Sequence, residues 1–288
     1  MNLPNKLTML RIILVPVFIA IAFIGFPGWN YAAAVVFLIA SITDSLDGNI
    51  ARKRNIVTDF GKLVDPIADK MLTSAAMVVL VTWGALPAYM AIILIGRDLM
   101  INPLRSLAAK DGVAIAAKWS GKVKTLLQII AYIAYLLDVR LVGDIVIWAA
   151  LIITLYSVYE YIAPNVSIVK KHGLVKYASL FVDKIIIYGA IFILCQLHML
   201  PLLLAFVIMA KDNIMSAFKT MAELYKVTIY TSIIDLLTQL LVIATLVVII
   251  FWPAHSTILI WVSAIGCIVT VLSYAMRHMA LLKRIMKS

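Results

Sequence analysis

Asp44-Ser45-Leu46-Asp47-Gly48-Asn49-Ile50-Ala51-Arg52, followed after eight residues by Gly61-Lys62-Leu63-Val64-Asp65-Pro66-Ile67-Ala68-Asp69, is the stretch from which the rest of this chain is read. Asp44 and Asp47 are three apart, and Asp65 and Asp69 four apart, so each pair shares one face of a helix. Gly48 and Ala51 extend the first face, and Gly61 precedes Asp65 by one turn on the second. Two helices, each offering two acids and a small residue, can meet around one site. Like charges gathered in an apolar setting repel, so divalent metal or protons must neutralise part of them. Oxygen donors without a His or Cys cluster suit Mg2+ or Mn2+ better than zinc. Such a site suits phosphate chemistry.

The surroundings are a membrane. Of 288 residues 64% are hydrophobic and 14% charged, with a mean hydropathy of +1.06, whereas soluble domains carry about 25% charged residues. The formal charge of +11 does not point to nucleic acid, because long uncharged runs separate the basic clusters, as in a multispanning protein with basic loops. The first apolar run lacks a small-residue cleavage site, so no cleavable signal peptide is expected. Cys195 and Cys267 lie in apolar stretches without metal spacing and read as packing residues.

Ten spans are expected, near 9–26, 30–52, 61–82, 86–108, 122–137, 142–162, 182–198, 200–216, 229–252 and 256–277. Leu3, Leu7 and Leu10 suggest a short interfacial helix ahead of the first span. With the N-terminus cytoplasmic, only Arg140 of the 25 Lys and Arg falls on the far side. That distribution predicts a multi-pass protein of the plasma (inner) membrane, with N-terminus and motif acids at the cytoplasmic face.

The spacing D-x2-D-G-x2-A-R-x8-G-x3-D-x3-D resembles the signature of the CDP-alcohol phosphotransferase family, and every defined position is present. The resemblance implies an all-α polytopic membrane protein, a six-helix catalytic bundle followed here by about four further transmembrane helices. It also implies displacement of CMP from CDP-diacylglycerol by the hydroxyl of an alcohol. On that basis Asp44, Asp47, Asp65 and Asp69 hold two divalent cations, Mg2+ or Mn2+, and Asp69 is the catalytic base for the incoming hydroxyl. Gly48, Ala51, Arg52 and Gly61 line the CDP site. The opening Pro4-Asn5-Lys6-Leu7-Thr8 with Arg11 is similar to that of the branch making phosphatidylglycerophosphate, so the expected acceptor is glycerol-3-phosphate.

Arg97 in Ile95-Gly96-Arg97-Asp98 sits near the end of an apolar span, an expensive place for a cation that meets no anion. Arg105 follows two turns later on the same face, and Lys122 is a third candidate. Arg97, Arg105 and Lys122 are therefore expected to bind the acceptor phosphate, while Lys110, Lys118 and Lys124 read as topology signals. A cardiolipin synthase or an inositol-phosphate transferase of the same fold is the nearest rival. A cation transporter, from another class, would place acids at mid-membrane in both halves.

Residues after 170 repeat the first half at an offset of 114. Ala68-Asp69-Lys70 matches Val182-Asp183-Lys184, Leu86-Pro87 matches Leu200-Pro201, and Arg97-Asp98 matches Lys211-Asp212. Asp44, Asp47 and Asp65 fall on Val158, Tyr161 and Ser179, so the catalytic signature does not recur. The expected division is a catalytic six-span domain at 1–166 and a degenerate partial repeat at 167–288. Members of the resembled family work as homodimers, so the second half either mimics a partner subunit, as an intramolecular pseudo-dimer, or leaves the first half free to form a homodimer.

Overall fold

The computed structural model describes residues 3–53, 58–113, 115–116, 118–224 and 233–278. The side chains of 3, 45–53, 59–60, 62–63 and 220–224 lie outside that description. The described residues are helical and without strands: α1 (Leu3–Ile24), α2 (Trp29–Lys53), α3 (Asp59–Thr82), α4 (Ala88–Lys110), α5 (Trp119–Leu136), α6 (Arg140–Ile162), the short α7 (Val166–His172) and α8 (Leu174–Ser179), then α9 (Val182–Gln196), α10 (Leu202–Leu224), α11 (Ile233–Phe251) and α12 (Ser256–Arg277). The ten long helices fall on the ten expected apolar stretches. Five helical segments among the described residues are long and apolar enough to cross a bilayer, and the chain is an all-α polytopic membrane protein.

The burial pattern gives the physical reason. Along α6 the inward face is Gly143, Ile147, Ala150, Leu151, Thr154, Ser157 and Tyr161, small and partly polar. Its outward face carries Leu141, Ile145, Trp148, Ile152 and Leu155, each more than half exposed. A soluble helix would do the reverse. Small and hydroxyl residues let membrane helices approach and bond, while the large apolar side chains face lipid.

Contacts group the chain into two compact units, Met1–Val79 with His198–Ser288, and Leu80–Leu197. In the first, α1 packs along α2, with Phe18 against Phe37. α12 packs there on both α10 and α11, and α11 and α12 are joined by hydroxyl pairs, Thr238 with Thr270 at 2.8 Å and Thr245 with Ser263 at 2.6 Å. Asn213 of α10 donates to the Ser74 hydroxyl of α3 at 3.3 Å. In the second unit, α4 packs on α6 and α9, and α5 on α6. The turn after α4 is clasped to α7 by Asp111, which accepts from Lys171 at 2.7 Å and meets His172 Nε2 at 3.0 Å. Those two donors hold the Asp111 carboxyl below the usual carboxylate range.

Two local expectations change. The N-terminal segment is no separate interfacial helix: α1 runs unbroken from Leu3 to Ile24, because Leu7, Met9, Leu10 and Ile12 continue the apolar pattern without a breaker. Lys124 is no topology signal at the surface: it is 1% exposed and ion-paired.

The α5–α6 hairpin closes over Gly143, where an added Cβ would sit 2.7 Å from the Tyr135 ring. Tyr135 is fixed there by its hydroxyl donating to Asp144 at 2.8 Å, so the ring has nowhere to go. Gly143→Ala should cost about 1–3 kcal/mol through overpacking, read as a lower thermal midpoint in lipid nanodiscs. An unchanged midpoint would show that the hairpin has slack.

Candidate active site

In the first unit, α1 carries the residues that hold the acids. Arg11 is fully buried, and its Nη1 lies 2.7 Å from Asp44 Oδ1 of α2. One turn earlier, the Thr8 hydroxyl donates to Asp65 Oδ1 of α3 at 2.6 Å. Asp65 lies close enough for Arg11 to attract and Asp44 to repel its charge. Residues 8 and 11 face the same way on α1, so a single turn of that helix engages the carboxylates of two others. Metal or protons are expected to neutralise part of this charge; Arg11, which the sequence did not single out for that role, compensates Asp44 from within the chain. A buried guanidinium next to a carboxylate is strongly costly to unpair, which ties the folding of α1 to the placement of Asp44.

The start of α3 is pinned in the same way. Thr58 caps the helix, its hydroxyl accepting from the Gly61 amide at 3.0 Å and donating to Asn5 Oδ1 at 3.0 Å. At Gly61 a Cβ would stand 3.3 Å from both Asn5 Oδ1 and Thr58 Oγ1, and 3.6 Å from Asp65 Oδ2. Gly61 is thus a close-approach residue beside an acid. Asp69 lies one turn beyond Asp65 and is half-buried, and its carbonyl accepts from Thr73 at 3.1 Å. Asp47, Gly48, Ala51 and Arg52 belong to α2 by backbone, but their side chains lie outside the described residues.

The donors present are hard oxygens, with Asp44 Oδ1 on Arg11 and Asp65 Oδ1 on Thr8, so the chemistry of the set fits Mg2+ or Mn2+. Among the described residues no three His, Cys, Asp or Glu side chains form a metal-binding group.

The second unit carries the cations. Arg97 donates to the Ser157 hydroxyl from Nε (3.2 Å) and Nη2 (2.7 Å), and from Nη1 to Asp98 at 2.8 Å. Lys124 reaches Asp98 Oδ2 at 2.8 Å and the Leu94 carbonyl at 3.3 Å. Asp98 therefore sits between two cations midway along α4, a balanced arrangement for charges within a membrane helix. Arg105 donates from Nη2 to the Tyr161 hydroxyl at 2.8 Å. Both guanidiniums also lie against the Tyr161 ring, 5.2 Å away for Arg97 and 5.1 Å for Arg105. Of the three predicted acceptor residues, Arg97 and Arg105 share this neighbourhood, while Lys122 is exposed.

Sequence reasoning missed Arg11, Lys124, Ser157 and Tyr161 as members of these clusters. The signal for the last two was present: Ser157, Glu160 and Tyr161 put polar groups at i, i+3 and i+4 inside an otherwise apolar span, and intramembrane polar residues are functional candidates.

Hard carboxylates in the first unit and guanidiniums in the second, within an all-helical membrane fold, suit a transferase of phosphate-bearing groups. Residues 1–156 match the family model described as CDP-alcohol phosphatidyltransferase, and the chain belongs to that family. It is 42% identical over 183 residues to a Bacillus subtilis (strain 168) protein named CDP-diacylglycerol--glycerol-3-phosphate 3-phosphatidyltransferase, covering 57% of this chain and 95% of that one. A Rickettsia bellii protein of the same name is 36% identical over 168 residues, 56% of this chain and 93% of its own. One from Shigella flexneri is 37% identical over 174 residues, with the same coverage.

Proposed function

We propose that this chain transfers the phosphatidyl group of CDP-diacylglycerol to sn-glycerol-3-phosphate, giving phosphatidylglycerophosphate and CMP. The observation that carries this reading is the shared name of relatives covered over nearly their whole length, together with the complete acidic signature. Two divalent cations, Mg2+ or Mn2+, held by Asp44, Asp47, Asp65 and Asp69, would neutralise charge on the diphosphate and on departing CMP. Asp69 accepts the proton of the attacking glycerol hydroxyl as its oxygen bonds to the phosphatidyl phosphorus and the bond to CMP breaks. Gly48 and Ala51 leave room for cytosine and ribose, Arg52 contacts the diphosphate, and Gly61 allows close helix approach. Arg97, Arg105 and Lys122 bind the acceptor phosphate, favouring a charged over a neutral alcohol.

The bilayer is the plasma (inner) membrane, with N-terminus and acids cytoplasmic, as the Lys and Arg distribution favours. The assay is CMP release from CDP-diacylglycerol in nanodiscs with Mg2+, comparing glycerol-3-phosphate, phosphatidylglycerol and inositol phosphate as acceptors. Turnover with glycerol-3-phosphate alone is expected; preference for either other acceptor would move the chain to the cardiolipin synthase or inositol-phosphate reading.

Residues 167–288 are read as a degenerate repeat of 1–166, and one arrangement favours the pseudo-dimer over a homodimer. At the offset of 114, α9 and α10 are the counterparts of the second part of α3 and of α4. In one unit α3 meets α10 through Ser74 and Asn213. In the other, α9 lies against α4, with Gly189 facing Ile92 and Gly96 facing Ile185. Within its own unit, each copy's third helix thus pairs with the other copy's fourth. A single chain per particle is expected when native nanodiscs are weighed by mass photometry; a stable two-chain particle would favour the homodimer.

A further inference from the structure

The last turns of α6 hold the cation cluster from one face. Ser157 anchors the Arg97 guanidinium, Glu160 accepts from Ser120 at the start of α5, and Tyr161 engages three separate points. Its ring lies about equally close to Arg97 and Arg105. Its hydroxyl accepts from Arg105 Nη2 at 2.8 Å and from the Lys118 amide at 2.7 Å. The side chain is 1% exposed, so it is built into the wall and does not face bulk solvent. It also lies past the residues matched by the family model.

Two long cations placed two turns apart on α4 have every reason to swing away from each other. They repel, and each loses rotamer freedom when fixed. An aromatic face within 6 Å attracts both guanidiniums through its quadrupole, and the hydroxyl fixes which edge of Arg105 faces the ring. Arg105 Nε is buried and has no hydrogen-bond partner. It is a donor left over after the ring and hydroxyl have been satisfied, of the kind a phosphate oxygen accepts from.

We propose that Tyr161 is the positioning residue of the acceptor subsite, holding Arg97 and Arg105 as a paired receptor for the phosphate of the incoming alcohol. This rests on the acceptor reading above. Tyr161 touches no substrate; it acts through the two arginines, and its removal should weaken recognition of phosphate on the acceptor without weakening recognition of the lipid donor.

The test uses the full chain in nanodiscs, with Tyr161→Phe, which keeps the ring and loses the hydroxyl, and Tyr161→Leu, which loses both. KM for glycerol-3-phosphate, KM for CDP-diacylglycerol, kcat and the thermal midpoint are measured, together with equilibrium binding of radiolabelled glycerol-3-phosphate. Tyr161→Leu should raise the acceptor KM about tenfold and Tyr161→Phe about threefold, magnitudes in keeping with losing cation–π and hydrogen-bond contributions. The lipid KM should change less than twofold. Equal changes in both KM values, or a fall in kcat that follows the thermal midpoint, would reduce Tyr161 to a packing residue and overturn the proposal. Should Tyr161→Leu not fold, the Phe variant decides by the same split, and a Phe variant with an unchanged acceptor KM overturns the hydroxyl's role. Wild-type protein that fails to bind glycerol-3-phosphate would sink the acceptor reading itself. Wild-type binding matched by Tyr161→Leu would sink only this inference.

Discussion

Asp69→Asn is expected to lower kcat for CMP release by about a thousandfold, within the usual worth of a general base of 10²–10⁴, while CDP-diacylglycerol still binds in a Mg2+-dependent way. Asn keeps the shape of Asp and most of its hydrogen-bonding capacity but cannot take the hydroxyl proton at neutral pH. On α3, Asp65 is engaged by Thr8 of α1, and Arg11 of α1 pairs with Asp44. Asp69 is half-buried, so an approaching alcohol has access to it. The measurement is single-turnover CMP release beside equilibrium binding of the lipid. Loss of both would place Asp69 among the principal metal ligands and move the base elsewhere.

How far the chain could be read in advance follows from where its information lies. The helices were legible because each is an apolar run ended by Gly, Pro or charge, as at Phe26-Pro27-Gly28 and Leu86-Pro87. The acids were legible because spacings of three and four put them on single helix faces. The partners that hold them were not. Arg11 reads as one more basic residue near a cytoplasmic end, and nothing local says that it will be fully buried against Asp44. Lys122 and Lys124 are two apart, so they point about 200° apart around α5. Only the packing of α5 on α6 decides which turns inward, and it is Lys124, which reaches Leu94 and Asp98 of α4. Tyr161 looks like any aromatic residue at a membrane boundary until two arginines from another helix are seen against its ring.

Reading residues 167–288 as a repeat of the first half points to Gly121 as the site of a second large effect. An added Cβ at Gly121 would stand 2.9 Å from Arg97 Nη2, so whatever occupies 121 sits on that guanidinium. At the offset of 114 the second half has Lys211 for Arg97 and Asp235 for Gly121. There the Asp235 carboxylate does lie by the cation, 3.3 Å from Lys211 Nζ, with Asp212 on it at the same distance. Lys211 and Asp235 are 5% and 6% exposed, so a buried carboxylate stands beside Lys211 at the position that Gly121 holds beside Arg97, while Asp212 does to Lys211 what Asp98 does to Arg97. Gly121→Asp should do the same to Arg97. The acceptor KM is expected to rise about a hundredfold or more, in line with the cost of compromising a partly buried charge interaction, while lipid binding persists. Gly121→Asn is the control, nearly equal in size and uncharged. If Asp and Asn impair acceptor binding to within threefold of each other, the effect is steric and the electrostatic account of the second half falls. If Asp is worse by tenfold or more at matched thermal midpoints, a single carboxylate separates the copy that presents Arg97 to an acceptor from the copy that does not.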